Sequence, residues 1–535
     1  MCKILNKTIS VFLVVTMLLS FAGCAKQGNK SITIAVARDP GSLDWQYTNT
    51  MNASAILTNI TESLLRYNEK GALEPGCAEA YDVSPDGLVY TFSLRSNLKW
   101  SNGDKIVAQD FVDSWMRAID PATGSLYVDM FLDYVKGARD FYEGKCDKSS
   151  VGFAAPDDNT ITITLSAPVT YFPEIVALWT YAPVHMPTVT ANSTSWATTP
   201  ETMISNGAFT LKSVTHGSEY VLVKNDNYWD SKNVDLDQVT IKVMPDSQTS
   251  TLSFETKAID GILSVPSTVA FNALTEGNTS SLSTTPSFGS SHLIFNCENG
   301  IFKDELIRKA FSIAIDRDEI VNTLLKTGER PGDGLIPPGY IINGADYSDG
   351  NDYGIKNADV EEAKALLAQA GYQSGSDLGT IRLLVYTDTT LATIAEYLKY
   401  AWETNLGAKV EITTQDWSAH YEDILAFDFE IAAFGYSASI FHPMDFFDAF
   451  RTGFANNASG YSCAEYDNLV EQIRCETDSK TVEQLMREAE NVVMDDSPVI
   501  ILYHNVRHTL MTPDLSGWYL TPMNALVLRY AKLSR

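Results

Sequence analysis

His504 and His508 are four residues apart, and on a helix that spacing would put both imidazoles on one face, where they could grip a metal ion. The run before and around them, Val499-Ile500-Ile501-Leu502-Tyr503, reads instead as a strand, which spreads such a pair over roughly 13 Å. Two polar residues near a strand end are then the simpler reading. Asp346, Asp349 and Asp352 form a loop with the oxygen ligands that Ca2+ takes, although a solvated acidic loop has the same composition. Gly435-Tyr436-Ser437-Ala438-Ser439 begins like the turn that presents a nucleophilic serine but lacks its closing glycine. HExxH, GxxxxGK[ST] and EF-hand patterns are absent. These residues make no case for catalysis, and no cofactor is expected.

The elements that would position them follow a mixed α/β pattern. Ser31-Ile32-Thr33-Ile34-Ala35-Val36 alternates as a strand, and Met51 to Leu65 has helical spacing. Val89 to Leu94 and Thr160 to Leu165 are two further strands, and Gly207 to Val223 predicts a hairpin turning at Thr215-His216-Gly217-Ser218. In the second half, helices are expected over Lys303 to Ala314 and, behind an Asp316 cap, Arg317 to Leu325. Asn357 is expected to cap a helix over Val360 to Ala370, stopped by Gly371. Thr380 to Tyr386, Leu391 to Leu406 and Val410 to Thr414 then read strand–helix–strand, which predicts a partly parallel sheet. Strands are also expected at Val499 to Tyr503 and Leu526 to Tyr530.

The N-terminus carries an export address. Lys3 and Lys7 precede an apolar run, Ile9 to Phe21, whose thirteen residues suit a signal h-region and fall short of a membrane span. The run closes on Phe21-Ala22-Gly23-Cys24, which resembles a bacterial lipobox, with Phe21 in place of the usual aliphatic residue. Residues 1–23 are therefore expected to be a signal peptide, Cys24 the lipid attachment site, and 24–30 a small polar tether. An ordinary signal peptide with an incidental Cys24 is the other reading. The rest of the chain has no comparable apolar stretch, and 45% hydrophobic with 11% aromatic residues indicates a globular body. The precursor's net charge of -28 becomes two units more negative when Lys3 and Lys7 leave. A surface of that sign repels nucleic acid and anionic headgroups, and no nucleic-acid partner is expected.

Several colinear segments are similar to the oligopeptide-binding receptors of ABC importers, extracellular solute-binding protein family 5. They include Asp39-Pro40-Gly41-Ser42-Leu43-Asp44, Leu94-Arg95-Ser96-Asn97-Leu98-Lys99-Trp100-Ser101-Asn102-Gly103-Asp104 and Ala108-Gln109-Asp110-Phe111-Val112. Ser205-Asn206-Gly207-Ala208-Phe209, Asn225-Asp226-Asn227-Tyr228-Trp229-Asp230, Arg308-Lys309-Ala310-Phe311 and Ala314-Ile315-Asp316-Arg317 continue the match. Asn102-Gly103 is expected to supply the positive φ angles of a turn, so that stretch reads as architectural. The resemblance implies an α/β, two-lobe, periplasmic-binding-protein-like fold of type II in its three-domain variety, with a hinge between the lobes. Residues 31–60, 180–289 and 510–535 would form the core domain of lobe 1, 61–179 its inserted domain, and 290–509 lobe 2. It also implies a monomer on the extracytoplasmic face of the membrane, delivering short peptides to an ABC permease and ATPase. Five cysteines remain after processing, and Cys77 with Cys146 and Cys463 with Cys475 are the pairs that fall within one expected domain each.

Such receptors pair an extended peptide's backbone with their own, as in strand addition. Thr50, Met51, Asn52 and Ala53 from lobe 1 and Gly435, Tyr436 and Ser437 from lobe 2 align with the pairing strands. Trp417 and Tyr436 would line side-chain pockets by apolar contact, with Trp417 as a core residue the alternative. Where the family pattern has an aspartate for the peptide ammonium, this chain has Ser439, and Ala433 replaces an arginine. Three explanations are open: Asp445 or Asp448 supplies the charge, the ligand lacks a free amino end, or it is not a peptide. A non-peptide ligand would be an oligosaccharide or a metal complex; a sugar would use Trp417, Tyr436, Tyr461 and Trp518 as stacking platforms.

Overall fold

A computed structural model describes residues 30–535 apart from 49, 194, 352, 356 and 455. The expected leader, Cys24 and most of the tether therefore lie outside the described residues, as does Asp352 of the acidic loop. Among the described residues, no helix is long and apolar enough to cross a membrane.

One mixed sheet of 11 strands organises the molecule. In chain order its main strands are β1 (Ser31–Val36), β2 (Phe209–Thr215), β3 (Glu219–Lys224), β4 (Gln238–Val243), β5 (Gly261–Ile262), β6 (Leu282–Phe295), β7 (Thr380–Tyr386), β8 (Lys409–Gln415), β9 (Ile431–Ser437) and β10 (Val499–Met511). Across the sheet they run β8-β7-β9-β6-β10-β5-β1-β4-β3-β2, and the short strand Arg330–Pro331 pairs β10 to one side. The long strands β6 and β10 are antiparallel partners from Leu282↔Leu510 to Ile294↔Val499, and among the described residues they alone join the two halves of the sheet. A separate four-stranded antiparallel sheet is made by Ala78–Val83, Val89–Leu94, Thr160–Thr164 and Phe153–Asp157.

Apolar periodicity accounts for the cores. Ile32 and Ile34 of β1 pack with Ile56 and Ile60, with Phe209 and Leu222 of the β2–β3 hairpin, and with Leu526 and Leu528 near the chain's end. The hairpin turns where expected, with Ser218 N–H donating to Thr215 O at 2.9 Å. The strand–helix–strand series is parallel, β7 pairing β8 from Thr380↔Lys409 to Tyr386↔Gln415. Its connecting helix, Thr389–Leu406, buries Ile394, Leu398 and Trp402 and ends at Gly407. Leu391, expected on the buried face, is only partly buried.

Side-chain capping moved several expected boundaries. The helix Val360–Gln369 is capped by Asp359, whose carboxylate accepts from Glu362 N–H at 3.1 Å, and not by Asn357, which lies too far upstream. Asp304 caps Glu305–Ile313, whereas Asp316 caps the next helix as expected. Within Asn102-Gly103 the positive φ belongs to Gly103 alone, at 95°. Asn102 instead accepts the N–H of Asp104 at 3.1 Å, closing the turn through its side chain.

All five described cysteines are free thiols. Cys463 caps the helix Ala464–Cys475 and Cys475 ends it, about 18 Å away, far beyond disulfide reach. Cys77 points its thiol at Glu62 O and Cys146 at Gly137 O, so neither faces the other.

Candidate ligand-binding site

Strand β9 supplies the site's main-chain edge. One side pairs fully with β6, Gly435 opposite Ser291, Tyr436 opposite Ser290 and Ser437 opposite Gly289. On its other side β7 reaches only Ile431 and Ala432. His420 Nε2 lies 2.7 Å from Ala433 O, and from Phe434 to Ser437 that edge has no strand partner among the described residues. Gly435 and Ser437 are exposed and Tyr436 is half-buried. An unpaired edge of this kind is what an extended chain can join.

The other expected pairing segment takes a different form. Thr50 caps the helix α1 (Met51–Ile60), its Oγ1 accepting from Ala53 N–H at 3.2 Å and donating to Pro40 O at 3.2 Å. Met51, Asn52 and Ala53 are thus the first helical turn, with Ala53 fully buried, and they offer no strand edge. The apolar spacing from 56 to 60 carries the helix back to its cap, overriding the extended form expected of 50–53.

Two cavities flank the β9 edge. One of about 840 Å³ is lined by Tyr421, Leu425, Gly435, Tyr436, Ser437 and Asn456, among others. The second, of about 320 Å³, brings Thr50 to Ser437 and Ser439, with Trp179, Arg507 and Asn524. Ser437 lines both, so the exposed strand end bridges them. Trp417 begins the helix α2 (Trp417–Leu425) behind the Asp416 cap and is 50% exposed, which excludes a core role. It stacks on Tyr421 at 5.8 Å, extending the wall of the larger cavity without lining it. Tyr436 meets Phe446 edge-on at 5.3 Å. Of the other expected stacking platforms, Tyr461 is buried with its hydroxyl on Asp496 at 2.6 Å, and Trp518 packs against the first core.

Neither downstream aspartate takes over the charge missing at Ser439. Asp445 turns inward, accepting the N–H of Ser439, and also bonds Ile440 N–H and the Tyr436 hydroxyl. Burial raises its carboxyl to about 7. Asp448 pairs with Arg474 at 2.5 Å and Arg451 at 3.4 Å. The two histidines also divide, as the strand reading implied: His504 is buried beside Asp333, 3.7 Å away, while His508 Nδ1 contacts Thr284 Oγ1 at 3.0 Å. Asp346 spends its carboxylate on Gly339 N–H and Ser348. Sequence reasoning overlooked Arg507, although it is the one lysine or arginine within β10.

The motif residues themselves hold the frame around this site. Asn206 brackets the main chain of Glu62, and the Glu62 carboxylate takes Arg66 at 2.8 Å and the Tyr228 hydroxyl at 2.9 Å. Arg317, fully buried, donates to Ser312 O, Ile355 O and Ile501 O.

This fold, with an open strand edge beside two cavities, is that of the type II periplasmic-binding-protein class. Residues 72–458 match the profile of the bacterial extracellular solute-binding proteins, family 5, and the chain belongs to that family. Its relatives include the dipeptide-binding protein DppE of Bacillus subtilis, 31% identical over 89% of this chain and 87% of the relative. The oligopeptide-binding protein OppA of the same organism is 29% identical over 95% and 96%. Among solved structures, the unliganded open form of the periplasmic murein tripeptide-binding protein MppA superposes with a TM-score of 0.82, at 26% identity over 95% of this chain and 98% of that one. The protein binds solute for a transporter and is not an enzyme.

Proposed function

We propose that this protein is a lipid-anchored receptor on the extracytoplasmic face of the membrane that captures short peptides between two lobes and delivers them to an ABC permease and its ATPase. The observation that carries the peptide reading is the unpaired β9 edge at Gly435–Ser437, which lines the larger cavity along its length and meets the smaller one at Ser437. A peptide added there gains main-chain hydrogen bonds that do not depend on its sequence, while its side chains enter the cavities. The relatives, named for binding a dipeptide and oligopeptides, agree with this chemistry. Residues 31–60, 180–289 and 510–535 with the inserted 61–179 form one lobe in this reading, and 290–509 the other. Closure is then a hinge motion across β6 and β10, and the receptor acts as a monomer held by diacylated Cys24.

Ser439 sets the ligand's chemistry. With no carboxylate supplied at this position, a buried peptide ammonium would forgo a charge-assisted bond worth about 1.5–3 kcal/mol. Peptides with a free amino end should accordingly bind less tightly than blocked ones. Mass spectrometry of the ligand carried through purification from membranes is the direct test, with a Cys24→Ser variant expected in the medium. High occupancy by ordinary tri- to pentapeptides would overturn the selectivity. A bound oligosaccharide or metal complex would overturn the peptide reading, and retention of Cys24→Ser at the membrane the anchor.

A further inference from the structure

The smaller cavity between α1 and the end of β9 has a polarity opposite to that of a site for an ammonium. Among the described residues its lining contains no aspartate or glutamate, and its only lysine or arginine is Arg507. The hydroxyls of Ser437 and Ser439 and the amide of Asn524 complete the polar wall.

Arg507, half-buried, stands apart from the other buried and half-buried arginines in what faces it. Arg66 meets Glu62 and Glu74, Arg529 meets Glu62, and Arg474 meets Asp448. Arg308 and Arg317 spend their donors on main-chain carbonyls. Arg507 has no carboxylate opposite it among the described residues, and its Nε is buried without a hydrogen-bond partner. Burial alone acts on its basicity, pulling it down, with no neighbouring charge to restore it. A cation withdrawn from water without a counter-charge is costly, and the cost is recovered when an anion arrives.

The backbone keeps this guanidinium open to the cavity. Arg507 pairs across the ladder with Thr285, and Pro286 with Val506, but the register then breaks until Ser290 meets His504. Within the break Phe288 takes a φ of 44° and its carbonyl accepts from Ala438 N–H at 3.0 Å. Ser287 thereby joins the cavity wall beside Arg507. Asp445, the carboxylate nearest in sequence to Ser439, is already committed to the Ser439 N–H.

We infer that the ligand group seated in this cavity is a carboxylate, held by the Arg507 guanidinium with the Ser437 and Ser439 hydroxyls. The inference rests on the peptide reading above and refines it. A peptide could bring the carboxylate as an acidic cap on its amino end or as its own C-terminus, and the two are separable by experiment.

Calorimetry should use one tetrapeptide core in four forms: free amino end, N-acetyl, N-succinyl, and N-acetyl with a C-terminal amide. Each form is titrated into the intact protein and into Arg507→Gln and Arg507→Lys. If the cap is the source, N-succinyl binds at least about tenfold tighter than N-acetyl, and Arg507→Gln erases the difference. If the C-terminus is the source, amidation costs at least about tenfold, again only while Arg507 is present. Arg507→Lys, which keeps the charge, retains part of either preference, whereas a folding defect would weaken all forms alike. Binding that ignores both the carboxylate and residue 507 overturns this inference and leaves the peptide reading intact. Failure of every form to bind the unaltered protein overturns the peptide reading and the inference together.

Discussion

At the scale of single residues, Asp445 does its work as a buried brace rather than as a ligand contact. Its carboxyl is raised by burial to about 7 against 3.8 for the exposed group. Between about pH 4 and 7 the folded chain therefore keeps a proton that the unfolded chain has released, and stability from this group falls as pH rises. Above the folded value no further loss occurs. Asp445→Asn removes the titration while keeping an acceptor for Ser439 N–H. Relative to the unaltered protein it should gain stability on going from about pH 4.5 to 7.5, by up to about 3 kcal/mol. Thermal melts of both proteins across that range give the difference directly, and a difference that does not change with pH would refute the assignment. Ser439 was legible from its place in a sequence pattern. The brace behind it was not, because nothing in residues 440–445 shows that the chain folds back on the Ser439 amide.

Elements show the same division between local and long-range information. The β7–helix–β8 unit could be read from its own periodicity and its glycine stop, since both depend on neighbours in sequence. At residues 51–53 the helical spacing prevailed over the strand alignment, because a serviceable N-cap and the apolar face behind it are local and strong. The β9 edge lay beyond any local pattern: it exists because the pairing with β7 ends at Ala432 while the pairing with β6 continues. That continuation depends on Gly289, where an added Cβ would lie 2.7 Å from Tyr436 O. Gly289→Ala should therefore push β6 and β9 apart at the binding edge. The expected cost is about 1–3 kcal/mol in urea unfolding, together with weaker ligand binding. Unchanged stability and affinity would mean that the strands can absorb the methyl group.

At the scale of the molecule, only β6 and β10 among the described residues pass between the halves of the large sheet, and the β6 register break lies beside the smaller cavity. Closure about this pair should lower the radius of gyration in small-angle scattering when ligand is added. At a ligand concentration 100 times Kd, folding stability should also rise by about 2.7 kcal/mol. A rise in stability without any change in scattering would argue for a receptor that binds without closing. The two-lobe outline was legible because its motifs are colinear over most of the chain. The motif side chains turn out to meet partners far away in sequence, as Tyr228 does with Glu62, which Arg529 also approaches.

The position of β1 bears on how the body withstands force. Its six residues all pair in parallel with β4, two also pair with β5, and Lys30 is fastened at its start by Asp235 and Asp237. A pull applied through Lys30 runs along the strand axis, so these hydrogen bonds are loaded together in shear and cannot unzip one at a time. A receptor tugged through that end, by flow across the cell or by a permease gripping its ligand, would meet the load with an interior strand, and the binding edge on β9 would be spared.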